Sequence, residues 1–514
     1  MRLRLAIFVA ACSGFVALSY EIVWYRLLSV MTRGIASTFG LLLAAYLFGL
    51  AIGSRAVAMF CREKGGDARQ LRALAGFVVV ANVIGSLVGP AFAWSARFTD
   101  FRIGLVVVAV SAAFLGAVLP LVSHFGIDAD DRAGVRLSYV YLANIIGSAI
   151  GSLLTGFVLM DALPIARIAL ILALAGFALA SGLVAMSAPT RGRALASHAV
   201  LVGCAAIAIV TLPRLYDRLY ERLIYKNEYD GTQRFAQIVE TKSGVITVAE
   251  DGSVYGGGGY DGVVNIRLEN NDKNGILRAF VVGALHPAPR EVLMVGLASG
   301  SWAQVVANLP GVEHMTIIEI NPGYLEVVKR HPEVASLLSN PKVSIVFDDG
   351  RRWMRRHPER RFDVIVMNTT LHWRSHSTNI LSAEFMEMAR SHLQPAGIFY
   401  FNTTDSYDVQ LTAATAWPFL LRITNFVVVS DSLFRFDRER WRWLLATMKI
   451  DDVPVLDLSN TAQKAVYDDL MGFNDIEGRE TILERTSKVA SVITDDNMVV
   501  EWREPLRYPD LSGH

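Results

Sequence analysis

Apolar residues run almost without a break through the first part of the chain, then give way to short bursts separated by polar stretches. The long runs cover residues 5–31, 38–60, 74–94, 103–125, 138–159, 165–186 and 196–212. Each holds roughly 20 residues, enough for an α-helix to cross ~30 Å of hydrocarbon. The pattern predicts a multi-pass α-helical membrane domain of seven spans over residues 1–213. Residues 236–266 ("QIVETKSGVITVAEDGSVYGGGGYDG" and its flanks) read as short strands with glycine-rich turns, a small β subdomain that shares residues 214–286 with a linker. From Glu291 the rhythm changes again. "EVLMVG", "HMTIIEI", "VSIVFDDG", "FDVIVMN" and "GIFYFNT" read as strands, with helices between them that include one opening at Ser301 and one over 383–392. Such alternation gives a parallel sheet with helices on both faces. Residues 287–514 are therefore expected to form an α/β Rossmann-like domain, with ligands at the carboxyl ends of the strands.

Composition sharpens the division. The 514 residues are 53% hydrophobic and 19% charged, and the excess sits at the front. A net charge of +1 gives no reason to expect a nucleic-acid partner. Arg2 and Arg4 imitate the start of a signal peptide, and residues 9–12 a lipoprotein cleavage box. The apolar run before Cys12 is too short for either, and further spans follow, so a retained first helix is expected. Cys12, Cys61 and Cys204 all lie in or beside spans, which supports neither a disulfide framework nor a metal cluster.

Three spans carry small residues four apart: Ala45/Gly49/Gly53, Ala81/Gly85/Gly89 and Ala143/Gly147/Gly151. That spacing lines one helix face and lets backbones approach closely. "ANVIGSLVG" from Ala81 and "ANIIGSAIG" from Ala143 read equally well as an internal repeat or as convergent packing. Glu21 and Arg26 lie within the first apolar run, and Asn82 and Asn144 stand at matching places in the two similar spans. Glu21 is a candidate functional residue; the alternatives are that it satisfies a neighbouring helix and that Arg26 snorkels beside Trp24 and Tyr25. Arg2, Arg4, Arg55, Arg62, Lys64, Arg69, Arg72, Arg132, Arg136, Arg191 and Arg193 fall on one side. Arg33, Arg97, Arg102 and Arg167 fall on the other. The bias places the N-terminus inside an inner cell membrane and the soluble part outside, although nucleoside cofactors are made inside.

Four strand ends supply candidate chemistry. Gly296-Leu-Ala-Ser-Gly300 is a small-residue turn opening a helix, where a backbone can approach a ligand. Glu319, 23 residues after Gly296, ends the next strand and is placed to accept two ribose hydroxyls. Asp348-Asp349-Gly350 follows the third strand and is placed for an adenine amino group, though Asp349-Gly350 is also ordinary turn chemistry. "NTT" occurs twice, at Asn368–Thr370 and Asn402–Thr404, on strands expected to be neighbours facing one crevice. "GGGGYDG" from Gly256 reads as a lid or a hairpin, with Tyr255, Tyr260 and Asp261 as weaker candidates. The basic run over 351–361 reads as a solvated helix face or a contact for anionic headgroups.

"FAQIVETKSGVITVAEDG", "HPAPREVLMVG", "IIEINPGY", "NPKVSIVFDDGRRW", "FDVIVMN" and "LSAEFMEMARSHLQPAGIFYFNT" together resemble spermidine synthase, an aminopropyltransferase with the class I methyltransferase fold. The whole chain resembles the membrane-fused spermidine synthase-like proteins. The resemblance implies a pocket for decarboxylated S-adenosylmethionine, or S-adenosylmethionine, as co-substrate. Its walls would be Gln237, Gly296, Ser299, Gly300, Glu319, Asp348 and Asp349. It also implies a small-molecule amine or an altered acceptor, the lipid bilayer as a second partner, and no metal; a homodimer is left open.

Departures from the family pattern are as informative. The family's Gly-Gly-Gly-Asp-Gly turn is Gly296-Leu-Ala-Ser-Gly300 here, so Ser299 stands where an acid binds the donor amine. The Asp-Ser-Thr-Asp loop is Asn368-Thr369-Thr370-Leu371, and both aspartates are gone. "NNDKNGI" replaces the acidic, histidine-bearing motif before the first Rossmann strand. A diamine acceptor is a dication whose attacking nitrogen must lose a proton, and carboxylates serve both needs. Losing that base costs roughly 10²–10⁴ in rate. Asn368, Thr369, His372 and His376 are the catalytic candidates, with either histidine able to act as base near neutral pH. Arg374 is expected to repel a polyamine. The expected function is a membrane-bound spermidine synthase-like transferase of aminopropyl or alkyl groups. The alternatives are a non-catalytic polyamine or nucleoside sensor and a transporter with a degenerate synthase domain.

Overall fold

The structure, a computed structural model, describes residues 2–58, 61, 67–98, 101–187, 191–268, 275–368, 371–497 and 500–503. The chain divides into two compact units. One comprises Met1–Arg33, Ser37–Arg234 and Glu240–Gly244; the other comprises Gly34–Ala36, Phe235–Val239 and Val245–His514.

In the first unit, seven helices among the described residues are long and apolar enough to cross a membrane. They are Arg2–Met31, Ser37–Val57, Ala68–Ala96, Arg102–Gly126, Ala133–Ala162, Ile165–Ser187 and Gly192–Leu215, one for each apolar run. The small-residue ladders do the packing. A side chain built at Gly53 would meet the Ala113 carbonyl oxygen at 1.8 Å, and one at Gly147 the Ala11 oxygen at 2.0 Å, so only hydrogen fits at either contact. The first helix also reaches its neighbours through polar side chains. Trp24 Nε1 donates to the Gly85 carbonyl at 3.1 Å, and Ser19 Oγ to the Gly151 carbonyl at 3.2 Å. Arg26 reaches out of the apolar run: its terminal nitrogens donate to the carbonyls of Thr241 and Lys242, at 2.9 and 2.6 Å, within the same unit.

The second unit holds two larger sheets. β1 (Phe235–Thr241), β2 (Gly244–Ala249), β3 (Ser253–Gly256) and β4 (Gly259–Val263) form the small one, in that order. Gly257 and Gly258, at φ 55° and 85°, make a two-residue turn between β3 and β4 that needs two left-handed residues. The glycine run is thus a hairpin. β5 (Glu291–Val295), β6 (His314–Glu319), β7 (Val343–Phe347), β8 (Phe362–Met367) and β9 (Leu393–Asn402) are the five expected strands, mutually parallel in the order β9-β8-β5-β6-β7. Successive residues face opposite cores: Val292 and Met294 one, Leu293 the other. Burial on both faces explains why these strands read as continuous apolar runs.

The sheet goes beyond the parallel expectation at one edge. β10 (Phe419–Ile423) and β11 (Phe426–Ser430) form a hairpin that pairs antiparallel to β9, and Ile476–Gly478 adds a short antiparallel strand outside β10. Two residues, Thr424 and Asn425, turn the hairpin, with Thr424 left-handed at φ 55°.

Candidate active site

β5 is the switch point of the sheet: β6 lies on one side of it and β8 on the other, so their carboxyl ends open into one crevice. The turn leaving β5 keeps a glycine-like path with fewer glycines. Gly296 and Gly300 have φ of 95° and 80°, and Ala298 between them sits at 45°. A left-handed alanine costs about 1–2 kcal/mol. A side chain built at Gly296 meets nothing within 4 Å, so open space lies above that backbone. At Gly300 it would meet Val328 at 2.7 Å, so this glycine serves the packing of the helix that follows.

Glu319 ties the turn from the end of β6. Its Oε2 accepts the Leu297 N–H at 2.7 Å and its Oε1 the Asn321 N–H at 2.7 Å. Burial pushes its pKa up, the N–H groups of Asn321 and Leu297 draw it back, and nearby Asp261 raises it again. Each carboxylate oxygen keeps a further lone pair for a hydroxyl donor. Ile320 and Phe347, 64% and 46% exposed at the ends of neighbouring strands, offer apolar surface for a flat ring beside Asp348. Gln237 adds a buried side-chain oxygen without a hydrogen-bond partner, while its Nε2 donates to the Glu326 carbonyl at 3.0 Å.

Three other candidates are occupied locally. Burial raises the Asp348 pKa, but the Arg352 hydrogen bond, the Asp349 N–H and the Arg352 and Arg356 charges together hold it below the ordinary value. Asp349 caps the helix Gly350–Arg356 by accepting the Arg352 N–H at 2.7 Å. Ser299 donates to Ser301 Oγ at 3.0 Å, and Ser301 in turn donates to the Val263 carbonyl. In the basic run Arg352, Arg355, Arg356 and Arg361 are exposed, while Arg351 is buried and its two terminal nitrogens grip Asp495.

The two "NTT" segments meet. Asn402 Nδ2 donates to Asn368 Oδ1 at 3.1 Å, Asn425 Nδ2 to Asn402 Oδ1 at 3.2 Å, and Arg278 Nη1 to Asn425 Oδ1 at 2.6 Å. A guanidinium can only donate, so this chain fixes every amide orientation and ends on the Asn368 N–H₂ group, which has no partner among the described residues. Thr404 and Asp405 follow Asn402 with φ of 44° and 60°, consecutive left-handed residues that hold a constrained turn. Thr404 Oγ1 lies 2.5 Å from His372 Nδ1. Burial pushes the His372 pKa down to about 4, so the ring is neutral at physiological pH. His376 is exposed and left-handed, and its N–H donates to Glu501 at 3.0 Å, so the two histidines face different surroundings. Thr369 and Thr370 lie outside the described residues, as does most of "NNDKNGI".

Arg374 is tied to the β3–β4 hairpin. It donates to the Gly256 carbonyl at 2.9 Å and lies 3.7 Å from Asp261, which also accepts the Tyr324 hydroxyl. A carboxylate therefore stands beside its charge. Arg278 and Asn425 escaped the sequence reading because each is a single polar residue at a distant place in the chain. Only the "TN" between two apolar runs marks Asn425 as a turn.

Residues 278–415 match the spermine/spermidine synthase domain. The chain is 24% identical over 449 residues to a polyamine aminopropyltransferase of Mycobacterium tuberculosis, covering 81% of this chain and 80% of that one. This is a spermidine synthase-like protein. Over 456 residues it is also 24% identical to polyamine aminopropyltransferase 2 of Ralstonia nicotianae, covering 82% and 85% of the two chains. Both alignments are longer than the second unit, so they run into the helical unit. A spermidine synthase bound to the transition-state analogue AdoDATO aligns with a TM-score of 0.37 at 14% identity, over 50% of this chain and 89% of that one. The spermidine synthase of Thermotoga maritima aligns with 0.35 at 16%, over 49% and 87%. By its kinship the spermidine synthase-like protein is a transferase of the aminopropyltransferase type.

Proposed function

We propose that this spermidine synthase-like protein is a membrane-bound transferase that binds a sulfonium nucleoside of the decarboxylated S-adenosylmethionine type. It moves an aminopropyl group to an acceptor other than a simple diamine. The carrying observation is Glu319, a buried carboxylate bonded to the Leu297 N–H of the Gly296–Gly300 turn and beside Ile320 and Phe347. That arrangement suits a ribose diol below an adenine ring, with Gln237 supplying a further acceptor.

Acceptor choice follows from the amide chain. Arg278 polarises Asn425, Asn402 and Asn368 in series, so the crevice presents an N–H donor where the family has a carboxylate. An N–H₂ group repels an ammonium and binds an oxygen or an uncharged nitrogen. His372, with a pKa near 4, is a weak base and cannot strip a proton from an ordinary alkylammonium. The acceptor therefore arrives with its nucleophile already uncharged. The nucleophile attacks the carbon next to sulfur, the new bond forms as the C–S bond breaks, and methylthioadenosine leaves. His372 or water takes any proton released.

The test measures methylthioadenosine release by the full chain given decarboxylated S-adenosylmethionine and a panel of amines. Glu319→Gln is expected to abolish release. Asn368→Asp is expected to raise putrescine-dependent release at least about tenfold, because it restores the acid. Release with no amine in the panel, or a Glu319→Gln rate equal to wild type, overturns the reading.

A further inference from the structure

We propose that Glu21 is the anionic contact of a binding site for an organic ammonium inside the helical unit. Glu21 sits in the middle of the first helix and is 8% exposed. Four polar neighbours on that helix are met: Ser19 by Gly151, Tyr20 by the Asn82 carbonyl, Trp24 by Gly85, and Arg26 by Thr241 and Lys242. Glu21 has no hydrogen bond and no ion pair among the described residues. Arg26, five residues along, spends its terminal nitrogens on carbonyls and does not neutralise it.

A bare carboxylate in apolar surroundings is strongly disfavoured, so it holds either a proton or a cation. Its surroundings select an organic cation. Trp24 stands one helical turn on, fully buried, and Tyr46 of the helix Ser37–Val57 lies 6.4 Å from it, ring centre to ring centre, at 62°. Tyr46 is within electrostatic reach of Glu21. A carboxylate beside aromatic rings recognises an alkylammonium, the acid taking the charge and the rings the methylenes and residual positive potential. A metal ion asks for several oxygen, nitrogen or sulfur ligands, and no such group occurs among the described residues. The ligand class is thus an organic ammonium, for which putrescine serves as the probe.

The experiment is equilibrium dialysis of radiolabelled putrescine against the full chain in lipid nanodiscs. Binding elsewhere in the protein cancels when variants are compared with wild type. Glu21→Gln, the same shape without charge, is expected to bind one equivalent less. Tyr46→Leu is expected to keep that equivalent but bind it about tenfold more weakly. Equal stoichiometry in wild type and Glu21→Gln overturns the proposal. So does a Glu21→Gln protein that melts higher with unchanged putrescine binding, since that marks a buried protonated acid.

Discussion

His372 carries its function in its surroundings rather than its identity. In an open loop a histidine titrates near 6.5; burial beside Thr404 lowers this one to about 4. A folded-state pKa below the unfolded one means the unfolded chain takes the proton first. The stability held by the neutral ring is fully present above pH ~6.5 and drains away as pH falls toward 4, by about 3 kcal/mol in all. His372→Gln keeps a partner for Thr404 and removes the titration. The difference in unfolding free energy between wild type and His372→Gln is therefore expected to be level above pH 6.5 and to fall steadily between 6.5 and 4. A flat difference across that window would show the ring to be solvated. Some of this neighbourhood was legible in the sequence. The repeated "NTT" on consecutive strands announced that Asn368 and Asn402 would meet, because parallel neighbours bring equivalent strand ends together. The charge partner of Arg374 was not legible, since Asp261 lies in another sheet and only folding brings it within 3.7 Å.

At the scale of elements, periodicity and small-residue spacing carried most of the information. Glycines four apart in three spans foretold close helix contacts, and the contacts are there. They make a graded prediction. Gly53→Val and Gly147→Val each drive a side chain into a backbone carbonyl, at Ala113 and Ala11, and are expected to cost about 1–3 kcal/mol or to displace a helix. Gly182→Val and Gly203→Val point into open space, meet no atom within 4 Å, and are expected to change the melting temperature little beyond the propensity of the residue. Thermal melts of the four variants in one detergent check the ranking; equal losses at all four would mean the ladders do not hold the helices. The β10–β11 hairpin was missed for a related reason. Its turn is Thr424-Asn425, which lacks the glycine that usually marks two-residue hairpins, and threonine adopts the left-handed conformation only because the flanking strands impose it. Ala298 makes the same point, since its left-handed backbone is maintained by the Glu319 bond to the next-door Leu297.

For the whole molecule, the division into two units has a thermodynamic consequence. Each unit owns a separate apolar core: residues such as Ala10, Val118 and Leu183 in the helical one, Val292, Val366 and Phe280 in the other. The residues proposed to hold the nucleoside, Gln237, Gly296, Glu319 and Asp348, all belong to the second unit. A ligand stabilises only the cooperative unit that contains its site, by RT ln(1 + [L]/Kd), which is about 2.7 kcal/mol at a hundredfold excess over Kd. For a unit of this size that is worth about 5–10 °C in melting temperature. Calorimetry of the full chain in detergent is therefore expected to show two transitions, of which methylthioadenosine raises one and leaves the other in place. Glu319→Gln should remove the shift while preserving both transitions. A single transition that moves as a whole would mean that the units unfold together, and the helical unit would then share in any energy the nucleoside supplies.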